Sequence, residues 1–185
     1  MTTFKMVVST IADRYGLVAD FSPVPLPELP GNGYHINIYA ANDAGEDVGT
    51  YVAAGIIDKI RDMTLFLNPS EASYARFGNN NAPYRVGWSA ESSAELMYVG
   101  PYKGKTRVEL RSPDASSNPY LVYTLLIHAG LLGIKQKLSL PKEGGRDGAW
   151  LPASRAEARE RALDSEFIRQ VIPKEIIDEY ARGLK

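Results

Sequence analysis

Apolar positions recur along this chain with two periods, and the switch between them predicts its elements. Phe4, Val7, Val8, Ile11, Ala12 and Tyr15 follow the i, i+3, i+4, i+7 spacing of one buried helical face, and Gly16 ends the run. Leu17 to Phe21 reads as a short strand, after which Pro23, Pro25, Pro27 and Pro30 forbid regular structure. Gly31-Asn32-Gly33 turns the chain into Tyr34–Tyr39, where the period falls to two: Tyr34, Ile36 and Ile38 share one face, and His35, Asn37 and Tyr39 the other. A polar loop over 41–49 leads to a second amphipathic helix carrying Val52, Ile56, Ile57, Ile60 and Met63.

Asn68-Pro69-Ser70 ends that helix and opens an irregular stretch to about Pro83. Strand-like segments follow at 84–90 and 95–99, and Thr106–Arg111 alternates strictly. Asp114 to Asn118 is a turn, with Asn118 as N-cap and Pro119 at N1 of a helix running to about Leu138. That helix is apolar nearly all round, which predicts burial, with His128 as a hydrogen-bonded core histidine. After a Gly/Pro loop over 141–153, Ser154 and Glu157 form a capping-box pattern, and Pro173 starts the final helix. Helices and antiparallel strands mix without βαβ alternation, which makes the chain α+β.

With 185 residues the chain is long enough for one domain, 1–185, and its 44% hydrophobic content is that of a globular protein. Lys and Arg number 21 against 22 Asp and Glu, so no global basic field is present to hold nucleic acid or an anionic membrane. Cysteine is absent, which excludes disulfide scaffolds, zinc–cysteine sites and thiol nucleophiles. No apolar run reaches the ~18 residues of a membrane span and no signal-peptide core is seen, so a cytoplasmic protein is the expectation.

The chemistry concentrates on Arg107, Glu109 and Arg111. On a strand these side chains share one face while Val108 and Leu110 take the other. Two guanidinium forks beside a carboxylate suit an anionic substrate or phosphate, with the carboxylate free to bind a cation. A solvated face of self-cancelling ion pairs has the same spacing. His35, after its Gly-x-Gly turn, reads as a metal or phosphate contact or as a structural histidine. Gly31-Asn32-Gly33 reads as a backbone cradle for an anion or as a plain turn. Asn68-Pro69-Ser70 with Tyr74 and Arg76 reads as a packed loop presenting one arginine, or as a surface loop with a solvated one. Two histidines give no Ser-His-Asp triad, and no Walker-type loop is present.

These residues resemble a known family. Asn68-Pro69, Ser73-Tyr74 and Arg76 are similar to the NPxxNSYKR segment of glutamine synthetase, and Arg107 to Leu121 resembles its RIEFRxPDxSxNPYL stretch almost residue for residue. Gly31–His35 is similar to GSGMH, and Phe21–Pro25 to FMPKP. The resemblance implies the C-terminal part of that family's catalytic domain, a curved antiparallel sheet with flanking helices. It implies a ligase in which ATP phosphorylates the γ-carboxylate of glutamate and ammonia displaces the phosphate, at two divalent metals, Mg2+ or Mn2+, in a funnel at a subunit interface. By position, His35 and Glu109 match ligands of the metal that holds the ATP phosphates, and Arg107 matches a phosphate-binding arginine. Arg76 and Arg111 match arginines that hold the substrate, and Gly31 matches the glutamate-binding loop.

Departures from the pattern are equally specific. The glutamate of the EAP flap is Asn81, which cannot take a proton from ammonium. Two phosphate-facing arginines of SARNRSAxIRIP become Ser93 and Tyr98, and a third becomes Glu91; Asn37 replaces the second histidine of HxH, and Val24 the lysine of FMPKP. The family's N-terminal β-grasp domain and glutamate-rich strands have no counterpart here, so the expectation is a chain inactive alone. That leaves half of a split ligase, a non-catalytic homologue that binds an acidic ligand or regulates another protein, or a folded relic. The first two imply a glutamate-like ligand and either a homo-oligomer or a partner chain.

Overall fold

The computed structural model describes residues 1–78, 82–92, 94–144 and 149–183. Helix α1 spans Thr2–Arg14, strand β1 Ile36–Ile38, α2 Gly49–Leu67 and α3 Glu71–Ala75. Strands β2 (Trp88–Ser89), β3 (Met97–Tyr102) and β4 (Lys105–Leu110) follow, then α4 (Pro119–Gln136), α5 (Arg155–Asp164), α6 (Glu166–Val171) and α7 (Lys174–Arg182). The four strands form one sheet in the order β1-β4-β3-β2.

A tight hairpin sets the register of the sheet. Lys103 and Gly104 both take positive φ, 48° and 75°, the backbone that a two-residue hairpin turn needs to match strand twist. The turn pairs Tyr102 with Lys105 and forces every pair behind it, down to Tyr98 opposite Glu109 and Met97 opposite Leu110. On the other side of β4, Asn37 of β1 lies opposite Glu109. Met97, Val99, Val108 and Leu110 point into the core, which leaves Tyr98, Arg107, Glu109 and Asn37 on the opposite face.

Helix α2 covers the apolar side of the sheet, with Ile56, Ile60, Met63, Leu65, Phe66 and Leu67 fully buried. It crosses α4 at backbone contact. A Cβ on Gly55 would fall against the Ala129 carbonyl and 2.8 Å from Gly133 N, and one on Gly133 would fall 2.8 Å from Gly55 N. Neither glycine has room for a methyl group. The Asn118 side chain accepts from Tyr120 N, with Pro119 at the first helical position, as the sequence predicts.

Several expectations need correction. Helix α1 forms, but its stripe is not buried: Phe4, Val7, Ile11 and Tyr15 are 62%, 46%, 49% and 78% exposed. It meets the body along its half-buried Lys5, Val8 and Ala12 edge, where Lys5 Nζ donates to the Ala115 carbonyl, and the one ring contact of the stripe is Phe4 edge-on to Phe21. Residues 17–21 form no strand and Val18 is 93% exposed, since no neighbouring strand lies beside them among the described residues. The stretch after Asn68 holds a short helix, α3, closed by a Ser70–Ser73 capping box in which serine replaces the usual glutamate. Of the span 84–90 only Trp88–Ser89 is strand, and it runs parallel to β3. Helix α4 buries one side only: Tyr120, Ile127 and Leu131 are exposed, and so is His128, which is no core histidine.

Candidate functional site

The polar face of the sheet is organised around one carboxylate. Glu109 Oε2 accepts from Arg107 Nη2 at 2.8 Å, and Oε1 accepts from Arg111 Nη1 at 2.9 Å. His35 Nδ1 lies 3.2 Å from the same Oε1. The Glu109 and Arg111 side chains are each 12% exposed, and that of Arg107 30%, so the network is largely removed from water. Burial, reinforced by the positive charge of Arg111, pushes the His35 pKa down despite the opposing pull of Glu109. The imidazole is therefore neutral at neutral pH, and the two guanidiniums outweigh Glu109 to leave one net positive charge on the face.

Each member of the set is held by identifiable local structure. β4 alternation sends Arg107 and Glu109 to one side while Val108 and Leu110 anchor the other. Arg111, the next residue, is fixed by its N–H to the Leu96 carbonyl at 3.1 Å. His35 precedes β1, and its Nε2 edge packs on Gly33, where a Cβ would lie 3.0 Å away. The guanidinium of Arg107 stacks on Tyr98, with Cζ 4.6 Å from the ring centroid, and lies 5.8 Å from the Tyr102 ring. Tyr102 in turn meets Tyr39 at 5.9 Å between centroids.

Sequence reasoning brought Arg107, Glu109, Arg111 and His35 together, and the structure places them in one cluster. Arg76 and Gly31 are different. Arg76 does not present its guanidinium: it is 1% exposed, donating from Nη1 to the carbonyls of Asn32 (2.8 Å) and Pro113 (3.3 Å) and from Nη2 to that of Ser112 (2.9 Å). Burial lowers its pKa while Asp114 pulls it back up. Gly31 lies against this side chain, and a Cβ there would come within 2.5 Å of Arg76 Cγ. The pair is thus a tie that docks the 31–34 loop onto residues 112–114, helped by Tyr34 N donating to the Pro113 carbonyl at 2.8 Å. Nor is the loop a cradle of free amides, since Asn32 N donates to Pro23 O at 2.8 Å. Asn81 and Ser93 lie outside the described residues.

A divalent cation does not fit the donors this face offers. Both Glu109 oxygens are engaged by arginine, and His35, the second candidate ligand, faces Glu109 directly. Among the described residues no group of three or more His, Asp or Glu side chains is placed to hold a metal. Two protein donors, both already engaged by neighbouring side chains, would leave most of the coordination sphere of such an ion to water and phosphate oxygens.

The sequence profile of the glutamine synthetase catalytic domain matches residues 1–184. The chain belongs to the glutamine synthetase family. The glutamine synthetase of Clostridium saccharobutylicum is 34% identical over 210 residues, covering 98% of this chain and 47% of that protein. The enzyme of Methanosarcina mazei is 32% identical, over 97% of this chain and 46% of its own length. The chain therefore spans about half the length of the relatives it matches. Among solved structures, GmaS without ligand superposes with a TM-score of 0.81 and a GmaS/ADP complex with 0.83, each at 23% identity and 97% coverage of this chain. These two likenesses concern the fold, α+β as the sequence predicts. No helix of the described residues is long and apolar enough to cross a membrane.

One contact of the cluster is not legible from sequence alone. Tyr98, which stands where the family has an arginine, is the stacking partner of Arg107. The Lys103-Gly104 hairpin turn was the available signal, because fixing that turn places Tyr98 directly opposite Glu109.

Proposed function

We propose that this chain binds a glutamate-like acidic ligand on its glutamine-synthetase-type face and does not carry out ligation by itself. The observation that carries this reading is the Arg107–Glu109–Arg111 network: two anchored guanidiniums with one positive charge in excess, around a carboxylate whose two oxygens both already accept from arginine. An anion of matching charge gains charge-assisted hydrogen bonds there at little cost in ordering. Phosphoryl transfer from ATP asks for more, because metal ions must bridge and neutralise the phosphates. Mg2+ or Mn2+ with ATP would have to be held by donors beyond His35 and Glu109.

A second reading is favoured by the uncovered stripe of α1. Phe4, Val7, Ile11 and Tyr15 form one apolar helix face turned to solvent, and β1 ends the sheet as an edge strand. Such surfaces are normally covered. A second subunit or partner polypeptide that seats here and supplies acidic strands would make the pair an ATP-dependent carboxylate–amine ligase.

Calorimetric titration of L-glutamate, run in EDTA and again in Mg2+, tests the first reading, with ATP turnover followed in parallel. Binding in both buffers without turnover is expected. Glutamine formation by the isolated chain would overturn it.

A further inference from the structure

Arg107 does not hold its position on Glu109 alone. Its guanidinium lies on the Tyr98 ring at 4.6 Å, and the ring itself is laid along the strand over Gly100, the residue paired with Arg107 across the hairpin. A Cβ at position 100 would stand 2.5 Å from Tyr98 Oη and 2.7 Å from Tyr98 Cζ, so any side chain there would evict the ring from this pose. Gly100 is thus the floor on which Tyr98 rests, and Tyr98 is the plate against which Arg107 is held.

The consequence for the ligand lies in which arginine atoms remain free. Arg107 gives Nη2 to Glu109, and its Nε is buried without a partner, so a ligand must be met by Nη1 and the outer edge of the fork. Stacking fixes the plane of that fork before any ligand arrives. A guanidinium pinned at one end by a carboxylate and along its face by a phenol is pre-organised for a planar carboxylate.

We propose that Tyr98, seated over Gly100, is a positioning residue for Arg107, and that together they make this face a metal-independent site for a carboxylate ligand. The proposal rests on the acidic-ligand reading above and goes beyond it by naming what orients the site and by removing the cation from it.

The test is titration of L-glutamate in EDTA into the wild type and into Tyr98→Phe, Tyr98→Ala, Gly100→Ala and the Tyr98→Ala/Gly100→Ala double variant, each first shown to be folded by circular dichroism. Tyr98→Phe keeps the ring face and is expected to bind like the wild type. Tyr98→Ala is expected to weaken binding about three- to tenfold, the range of a partly exposed cation–π contact. Gly100→Ala removes no atom of the site, yet is expected to weaken binding similarly by displacing the ring. In the double variant the two effects should not add, because the new methyl group has no ring to displace. The stack also has a signature that needs no substitution: the Arg107 side-chain protons of the wild type should be shifted upfield by the Tyr98 ring. Unchanged affinity in both single variants, additive losses, an absent ring shift, or binding that appears only with Mg2+ would each overturn the proposal. If the wild type binds no glutamate in either buffer, the acidic-ligand reading falls as well; if it binds and the variants match it, only the role of Tyr98 falls.

Discussion

Replacing Glu109 by glutamine separates an ion-pair centre from a metal ligand, because the two roles give opposite signs. The carboxylate stands 2.8 Å from one guanidinium and 2.9 Å from the other. An anion bound on the far edge of either arginine would lie about 6 Å from it, the span of a guanidinium with a hydrogen bond on each side. At an effective dielectric constant between about 20 and 40, suited to a carboxylate largely removed from water, the repulsion between two unit charges at that distance is ~1.4–2.8 kcal/mol. Glu109→Gln removes it and raises the charge on the face by one unit. The arginines are then less firmly held, which costs back roughly 1 kcal/mol of ordering. The net expectation is L-glutamate binding about two- to twentyfold tighter, read by calorimetry in EDTA. The same substitution strands two partly buried guanidiniums and should lower stability by about 2 kcal/mol, less than for a fully buried pair because Arg107 keeps some contact with water. Weaker glutamate binding, or the loss of an Mg2+-dependent component, would refute the reasoning and return Glu109 to cation coordination.

Three further outcomes are expected. Arg76→Met leaves the carbonyls of Asn32, Ser112 and Pro113 without their shared donor; it should destabilise the fold by about 3–5 kcal/mol and open the Tyr34 amide to hydrogen exchange. Gly55→Ala drives a methyl group into the α4 backbone at Ala129 and Gly133, and a loss of about 3 kcal/mol, or ~6–12 °C in Tm, is expected by thermal denaturation. The Glu143 carboxylate accepts from Ala90 N and Ser89 Oγ, both at 2.8 Å, and these bonds hold its pKa below the ordinary 4.5. Because the folded state depresses this pKa, the attachment of the 141–144 loop to β2 is intact above pH 4.5 and is lost as the pH falls through the lowered value. The Ala90 amide resonance reports it, and Glu143→Ala should abolish the transition.

How much of this was legible in the sequence depended on whether local pattern or distant contact decided each element. β4, α2 and the start of α4 were readable because strict alternation, helical spacing and an Asn-Pro cap act within a few residues. The Arg107/Glu109/Arg111 face followed from the same alternation. Exposure was not readable. The stripe of α1 and the outer side of α4 carry the apolar pattern of buried helices, and only the three-dimensional arrangement shows Val7, Ile11 and Ile127 turned to solvent. Arg76 was misread for a related reason. Its partners, at positions 32, 112 and 113, are at least 36 residues away along the chain, and the local motif says nothing of whether a guanidinium meets a ligand or three carbonyls. The Tyr98 stack needed the hairpin register, which two residues, Lys103 and Gly104, encode.

The most direct measurement is a crystal structure of the chain with L-glutamate in the presence of EDTA. A ligand carboxylate within about 3 Å of the outer guanidinium nitrogens of Arg107 and Arg111, with Glu109 still paired to both and no metal between them, is the predicted result. A glutamate bound away from these arginines, or density that forms only when Mg2+ or Mn2+ is added and coordinates His35 and Glu109, would contradict it.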